Sequence, residues 1–230
     1  MNRMMPRNIV SRRRARQSGS TILEFAICVP ALSLLFFGSI GLGVMMGRYI
    51  QTVQVDRDVA HMYSDGVDFT QTTAQSIITQ DLALGTGMTA AGGNGVIIFS
   101  QIQTVYQTDC TAAAVSPCTN LGLPVFTQRI VVGNSSLRTS QFGTPASSLM
   151  DASGNIKASV YLSNSNSTVR TSGFEAQLDA AASTAGLTST PPVQPQGNIA
   201  YVVEAFFPYP DIGFLGFSTA GGAYSCFIFN

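Results

Sequence analysis

A basic N-terminus without acidic residues, followed by one long apolar run, most constrains how this chain can fold. Six arginines lie within the first 16 residues. The apolar run extends from Phe25 to Met46, about 22 residues or about 33 Å of helix, which is enough to cross the hydrocarbon core of a membrane. Because basic flanks stay in the cytoplasm, we expect a single-pass membrane helix with a cytoplasmic N-terminus and an exported C-terminal part.

A carboxylate, Glu24, lies at the mouth of this run, five residues after Gly19. An acidic residue at the centre of a membrane helix is disfavoured by about 2.5–3.5 kcal/mol, and by less near its end, so its position needs a reason. A cut after Gly19 would give Ser20 a free ammonium, which Glu24 of a neighbouring subunit could pair with at low dielectric. The pattern therefore predicts a processed leader and a carboxylate that acts between subunits.

A recognisable motif surrounds this glutamate. It consists of Gly19, Thr21, Glu24, Phe25, Ala26 and Pro30, followed by Leu32, Leu34, Leu35, Phe36, Phe37 and Gly38. This motif resembles that of the TadE-like pseudopilins of bacterial tight-adherence (Flp, type IVb) pilus systems, and the resemblance extends from Gly19 to about Gly47. It implies that a prepilin peptidase cuts between Gly19 and Ser20, and that Glu24 and Phe25 set the register of subunits during assembly.

The resemblance also implies a role, partners and a location. The chain is expected to be a minor pilin or pseudopilin with a structural part in pilus assembly and cell adhesion, since major subunits of this pilus type are very short chains. Its expected partners are the prepilin peptidase, other pilin or pseudopilin subunits, the pilus assembly platform and the membrane. The expected location is the bacterial inner membrane, with assembly into a cell-surface pilus as a further step.

The chain divides on this interpretation into three parts: a cleaved basic leader at residues 1–19, a transmembrane and stalk helix at residues 20–63, and an exported α+β domain at residues 64–230. The exported part is long enough to bury a hydrophobic core. Half of the twelve basic residues belong to the leader, so the remainder is acidic, and we expect no nucleic-acid-binding surface. The stalk carries an apolar stripe at helical spacing, formed by Thr52, Val55, Val59 and Met62.

The expected fold class is α+β, in which the long N-terminal helix continues into a small helical plus antiparallel β-sheet domain. Apolar periodicity predicts helices at Thr73–Leu84 and Phe174–Leu187, and strands at Val96–Tyr106, Val125–Val132, Ala158–Leu162, Ile199–Phe207 and Ala223–Phe229. The strand at Ile199–Phe207 alternates with a less apolar set that contains Glu204, as expected of a half-buried antiparallel strand. The glycine-rich stretch before Val96 predicts a hairpin or connector.

Two features of the exported domain are candidate sites. Cys110 and Cys118 flank a short polar loop and are expected to form a disulfide, whereas Cys28 lies in the membrane span and Cys226 is expected to be a buried thiol. The loop before the last strand contains four large apolar side chains, Ile212, Phe214, Leu215 and Phe217, and the last three are the candidate contact residues. These side chains either plug the edge of the sheet or contact a membrane or another subunit, and the sequence leaves both readings open.

The sequence contains no pattern typical of an enzyme, a cofactor site or a metal site. His61 is the only histidine, and neither a P-loop nor a nucleophile elbow is present. A secretory signal peptide is disfavoured because the apolar run is too long and lacks a small-residue cleavage site. The alternative function is a signal-anchored exported binding domain in which the pattern at Gly19 is accidental, and an exported enzyme that uses carboxylates is a third.

Overall fold

The structure is a computed structural model that describes residues 10–163, 167–175, 197–210 and 221–229, with side chains from residue 21 onward. The chain divides into two compact units, Met1–Met46 and Gly47–Asn230. One helix, α1 (Val10–Ser64), contributes to both units and continues through Pro30. Judged by length and composition, the part of α1 from Thr21 to Ser64 is long and apolar enough to cross a membrane.

Apolar side chains of the span are exposed on α1, among them Phe25, Leu35 and Leu42. This exposure is expected of a helix whose solvent is lipid or other helices, because an apolar helix in water would bury one face. A Cβ built on Gly43 would meet no described atom within 4 Å. Packing inside the first unit therefore does not require glycine at this position.

The second unit is built on a four-stranded antiparallel sheet. In chain order its strands are β3 (Val96–Thr104), β4 (Pro124–Gly133), β5 (Ile199–Pro208) and β6 (Gly222–Phe229), and a small hairpin of β1 (Met88–Thr89) and β2 (Gly92–Gly93) precedes them. The order across the sheet is β4-β3-β5-β6. All four strands occur where aromatic and β-branched residues are frequent, and the predictions for them are confirmed.

The remaining helices are short. They are α2 (Thr72–Ile77), which continues as a π-helical turn at Ile78–Leu82, α3 (Gln107–Ala112), α4 (Ala158–Tyr161), and 3-10 turns at Ser147–Leu149 and Ser167–Val169. The helix expected at Thr73–Leu84 is thus present in two pieces. The prediction of a strand at Ala158–Leu162 is wrong, because this stretch forms α4. An apolar run this short does not distinguish a strand from a helix. Most of the helix expected at Phe174–Leu187 lies outside the described residues.

The main core lies between the C-terminal part of α1 and one face of the sheet. Val55, Val59 and Tyr63 of α1 are buried there against Phe99 of β3 and Val203 of β5. The ring of Tyr63 meets Phe99 edge-on at a centroid distance of 5.1 Å. The predicted apolar stripe of the stalk is therefore the face that packs on the sheet, and α1 ends at Ser64 as expected.

The opposite face of the sheet is covered as well. A second cluster packs Phe126, Phe142 and Phe174 against Ala200 and Val202. Strand β5 is consequently buried on both faces, and the expectation that it is half-buried is wrong. Loops that cross the second face cause the difference, because they cover side chains that a one-sided sheet would expose. The overall class, α+β with a long N-terminal helix and an antiparallel sheet, is confirmed.

Candidate functional site: the N-terminal helix and the buried polar residues of the sheet

The predicted cleavage site lies within α1. Gly19 and Ser20 are helical in backbone conformation, and so are Glu24 and Phe25. The side chains of Glu24 and Phe25 are exposed, with Phe25 at 70 %. Since four residues make about one helical turn, Glu24 lies on the same side of the helix as Ser20, about 6 Å further along its axis. The structure thus places the glutamate one turn beyond the expected new N-terminus.

The two loop cysteines are joined in the structure. Cys110 of α3 and Cys118 form a disulfide with their Cα atoms 5.9 Å apart. Helix α3 begins with a capping interaction in which the Tyr106 backbone N–H donates to the Asp109 carboxylate at 2.8 Å. Cys110 is fully buried against Val105. The disulfide therefore anchors the loop between β3 and β4 to a small apolar cluster.

The other two cysteines are free thiols. Cys28 is exposed on α1, and Cys226, which was expected to be buried, is half-buried on β6. Burial raises the pKa of the Cys226 thiol to about 12, and the nearby Glu204 carboxylate acts in the same direction. Cys226 is therefore protonated at neutral pH, and its nucleophilicity is low.

The apolar loop with Phe214, Leu215 and Phe217 lies outside the described residues. At its base, the backbone N–H of Tyr209 donates to the carbonyl of Gly221 at 3.0 Å. The two ends of the loop are therefore held together as the base of a hairpin between β5 and β6. Both readings of the three side chains stay open.

A cavity of about 200 Å³ opens beside the end of α1. Its lining includes Tyr63, Asp68, Gln101, Gln128 and Tyr201. The Tyr63 hydroxyl donates to Gln128 Oε1 at 2.9 Å, so these two lining side chains bond each other. In the part of the chain that the structure describes, no group of three His, Cys, Asp or Glu side chains is placed to hold a metal ion.

Asp56 of α1 is a buried acid that lies next to the apolar stripe in sequence and is not one of its apolar members. Its side chain is fully buried, and neither carboxylate oxygen has a hydrogen-bond donor in bonding geometry among the described residues. Burial raises the pKa of Asp56 to about 7; the nearby Ser225 hydroxyl opposes the shift, and Glu204 adds to it. Asp56 follows Thr52 by four residues and precedes Val59 by three, so helical spacing places it on the same face of α1 as these two residues.

Glu204 of β5 is a second buried acid, and it is fully satisfied. The Ser140 hydroxyl donates to it, as do the Gln141 backbone N–H at 2.9 Å and the Tyr224 hydroxyl at 2.7 Å. Three donors compensate for the hydration that the carboxylate loses on burial. The alternating pattern around Glu204 predicted a strand, and this prediction is confirmed. The expectation that Glu204 lies on a more exposed face is wrong, because the loop that contains Ser140 covers that face.

Arg129 of β4 is the buried cation near Glu204. Burial lowers the pKa of its guanidinium to about 10, and the attraction of Glu204 opposes the shift. The guanidinium donates to the Gly143 carbonyl at 2.6 Å and lies 4.5 Å from the centre of the Phe126 ring. These buried polar contacts hold the loop after β4 on the second face of the sheet, which is a structural role.

Comparisons with known proteins identify only the N-terminal part of the chain. No curated protein and no solved structure gives a significant match. Residues 19–61, from the predicted cleavage glycine into the buried part of α1, match the model of the family described as TadE-like protein. The resemblance of the N-terminal motif is therefore confirmed, and the similarity of residues 19–61 to this family relates the chain to components of tight-adherence pili.

Proposed function

We propose that this chain is a minor pilin or pseudopilin of a type IVb (tight-adherence) pilus system, processed by a prepilin peptidase after Gly19. The observation that carries the proposal is the TadE-like match at residues 19–61, which coincides with one helix that contains Gly19, Glu24 and the apolar span. The function is structural assembly, in which the chemistry is done to the protein by the peptidase.

Processing on the cytoplasmic side of the inner membrane fits the charges of the N-terminus. The arginine-rich leader keeps this end in the cytoplasm, and the second unit is exported. Gly19 has no side chain to obstruct a peptidase. The cut leaves Ser20 as the first residue, so the membrane span begins near the N-terminus of the mature chain.

Glu24 then sets the register between subunits. Its carboxylate pairs with the Ser20 ammonium of a neighbouring subunit at low dielectric, where a charge left alone costs about 3–5 kcal/mol. Its exposed position on α1 leaves it accessible to another helix. Because Glu24 also lies one turn from its own Ser20, the neighbour's ammonium competes with the ammonium of the same chain.

Close packing of the spans supports assembly. Gly43 and Gly47 are four residues apart, a spacing at which small residues let membrane helices approach closely. A Cβ built at either position would meet no described atom within 4 Å, so packing among the described residues does not require glycine there. Their small size serves contacts with helices of other subunits.

The test is the intact mass and N-terminal sequence of the protein purified from membranes of a host with the complete pilus system. We expect a chain that begins at Ser20 for the wild type and for the control Ser18→Ala, and an intact leader for Gly19→Val. A wild-type chain that retains its arginine leader would refute the proposal and favour a signal-anchored binding domain. Processing of Gly19→Val at the same bond would refute the assignment of the cleavage glycine.

A further inference from the structure

The sheet has two edges, and the chain covers one of them. Along β4, the Arg129 N–H donates to the Gly154 carbonyl at 2.8 Å, and the Ile156 N–H donates to the Thr127 carbonyl at 2.8 Å. A Cβ at Gly154 would lie 2.0 Å from the Arg129 carbonyl oxygen, so this close approach requires glycine. The segment that contains Gly154 and Ile156 thus protects the β4 edge from pairing with another chain.

In the part of the chain that the structure describes, no segment protects the other edge, β6, in this way. Its register with β5 is continuous from Tyr201↔Phe229 to Pro208↔Gly222, without a bulge. Among the residues that the structure describes, no strand or loop pairs with its outer side. The strand is eight residues long and contains neither a charged residue nor a proline. Edge strands that stay unpaired usually carry charges, prolines or bulges, so β6 is suited to accept a further strand.

The side chains of β6 indicate the chemistry of the added strand. Phe227 and Phe229 lie on the face that packs against α1, whereas Cys226 and Ile228 lie on the opposite face. These four side chains are half-buried. A strand beside β6 would extend both apolar clusters, so it must be uncharged and apolar on both faces.

A second copy of β6 would satisfy this chemistry but not the geometry of a membrane protein. In α1, Asp56 lies near Ser225, and the His61 ring is 4.8 Å from the Phe229 ring, so helix and strand run in the same direction. If two β6 strands paired antiparallel about a two-fold axis, the α1 helices of the two copies would also run in opposite directions. The Gly47 end of α1 would then lie at one end of the joint sheet in one copy and at the other end in the second copy. Gly47 follows the membrane span directly, so both ends must lie at the same membrane.

Other arrangements of two copies fail for different reasons. A two-fold axis parallel to the strands would pair each residue of β6 with the same residue of the second copy. The two side chains would then point to opposite faces of the sheet, whereas the pleat requires paired residues to point to the same face. Head-to-tail pairing of β6 with β4 of the next copy keeps the helices parallel, but the segment that contains Gly154 covers that edge. These arrangements of two copies are therefore excluded, and no described residue of the same chain pairs with this edge, whereas a strand of a different chain meets every condition.

We propose that the outer edge of β6 binds an extended, uncharged segment of a different exported subunit of the pilus system, which adds a fifth strand to the sheet. This inference rests on the proposed function, because it takes the partner to be anchored in the same membrane. The backbone groups of β6 supply the hydrogen bonds of the complex, and the half-buried side chains of Phe227 and Ile228 supply its apolar contacts.

The test uses the full-length chain, coexpressed in turn with each other exported subunit of its pilus system and purified in nonionic detergent. We expect one of these subunits to copurify. Ile228→Lys puts a charge on the edge and should weaken the complex about tenfold or more, whereas Ile228→Thr keeps a β-branched residue and should retain it. The matched control is Val131→Lys on β4, which places the same charge on an exposed strand residue away from β6.

Amide hydrogen exchange distinguishes strand addition from other contacts. Alternate amides of β6 point away from β5, and only these should become about tenfold or more protected when the partner binds. The proposal is overturned if no subunit copurifies, if Ile228→Lys binds as well as Val131→Lys, if alternate protection is absent, or if the complex contains this chain alone. A thermal melt of each variant shows whether it is folded, and if Ile228→Lys is not, the exchange pattern of the wild-type complex decides.

The N-terminal sequence of the same preparations separates the two proposals. A chain that begins at Ser20 but does not bind through β6 would remove the edge proposal and keep the pilin function. A chain with an intact leader that still binds an exported subunit through β6 would keep the edge proposal and remove the processed-pilin function.

Discussion

Replacing Asp56 with Asn should remove a pH dependence of folding stability. The pKa of Asp56 is raised by burial to about 7, against an ordinary value of 3.8 in the unfolded chain. Between these two values the folded protein holds a proton that the unfolded chain has released. The free energy of unfolding therefore falls as the pH rises through this window, and it stays low above about pH 7.

The magnitude follows from the difference between the two pKa values. At about 1.4 kcal/mol for each pH unit, the window from 3.8 to about 7 corresponds to about 4 kcal/mol. Asn has nearly the same shape as the protonated acid and does not ionise. We therefore expect Asp56→Asn to match the wild type within about 1 kcal/mol at pH 4 and to be more stable by about 4 kcal/mol at pH 8.

The assay is urea unfolding of the full-length chain in nonionic detergent at pH 4, 6 and 8. Near-ultraviolet circular dichroism of the tyrosines reports the core, because Tyr63 packs against the rings of Phe99 and Tyr201. Asp58→Asn is the matched control, since Asp58 is an exposed acid on the same helix. Equal pH dependence in the wild type and Asp56→Asn would refute the reasoning, because the buried carboxylate would then have a partner.

Three further predictions concern other parts of the chain. Glu24→Ala should be processed and inserted normally, yet be absent from sheared pili by immunoblotting; incorporation at the wild-type level would rule out the register role. Tyr224→Phe removes one of the donors to the buried carboxylate of β5 and should lower the free energy of urea unfolding by about 1–3 kcal/mol, whereas Tyr49→Phe, on an exposed part of α1, should change it little. The double variant Cys110→Ser, Cys118→Ser should lose about 2.5 kcal/mol in the same assay, and an unchanged value would show that the disulfide does not constrain the unfolded chain.

Much of the fold follows from local pattern. Helix α1 is predictable because its apolar span and the stripe of Val55 and Val59 are periodic over many turns, and periodicity requires only the neighbouring residues. The strands β3 to β6 are predictable for the same reason, since aromatic and β-branched residues favour an extended backbone. The family resemblance at residues 19–61 is also predictable from the sequence, because the motif around Gly19 and Glu24 is a pattern of residue spacing within a single helix.

The tertiary structure alone decided which side chains are buried and which edge of the sheet the described residues cover. Asp56 lies on the covered face because a strand from the other end of the chain, β6, packs over that part of α1. Glu204 is buried by a loop more than 60 residues away along the chain, which supplies two of its three donors. Such contacts depend on the order β4-β3-β5-β6, and strand order results from pairing between distant segments that no local pattern specifies.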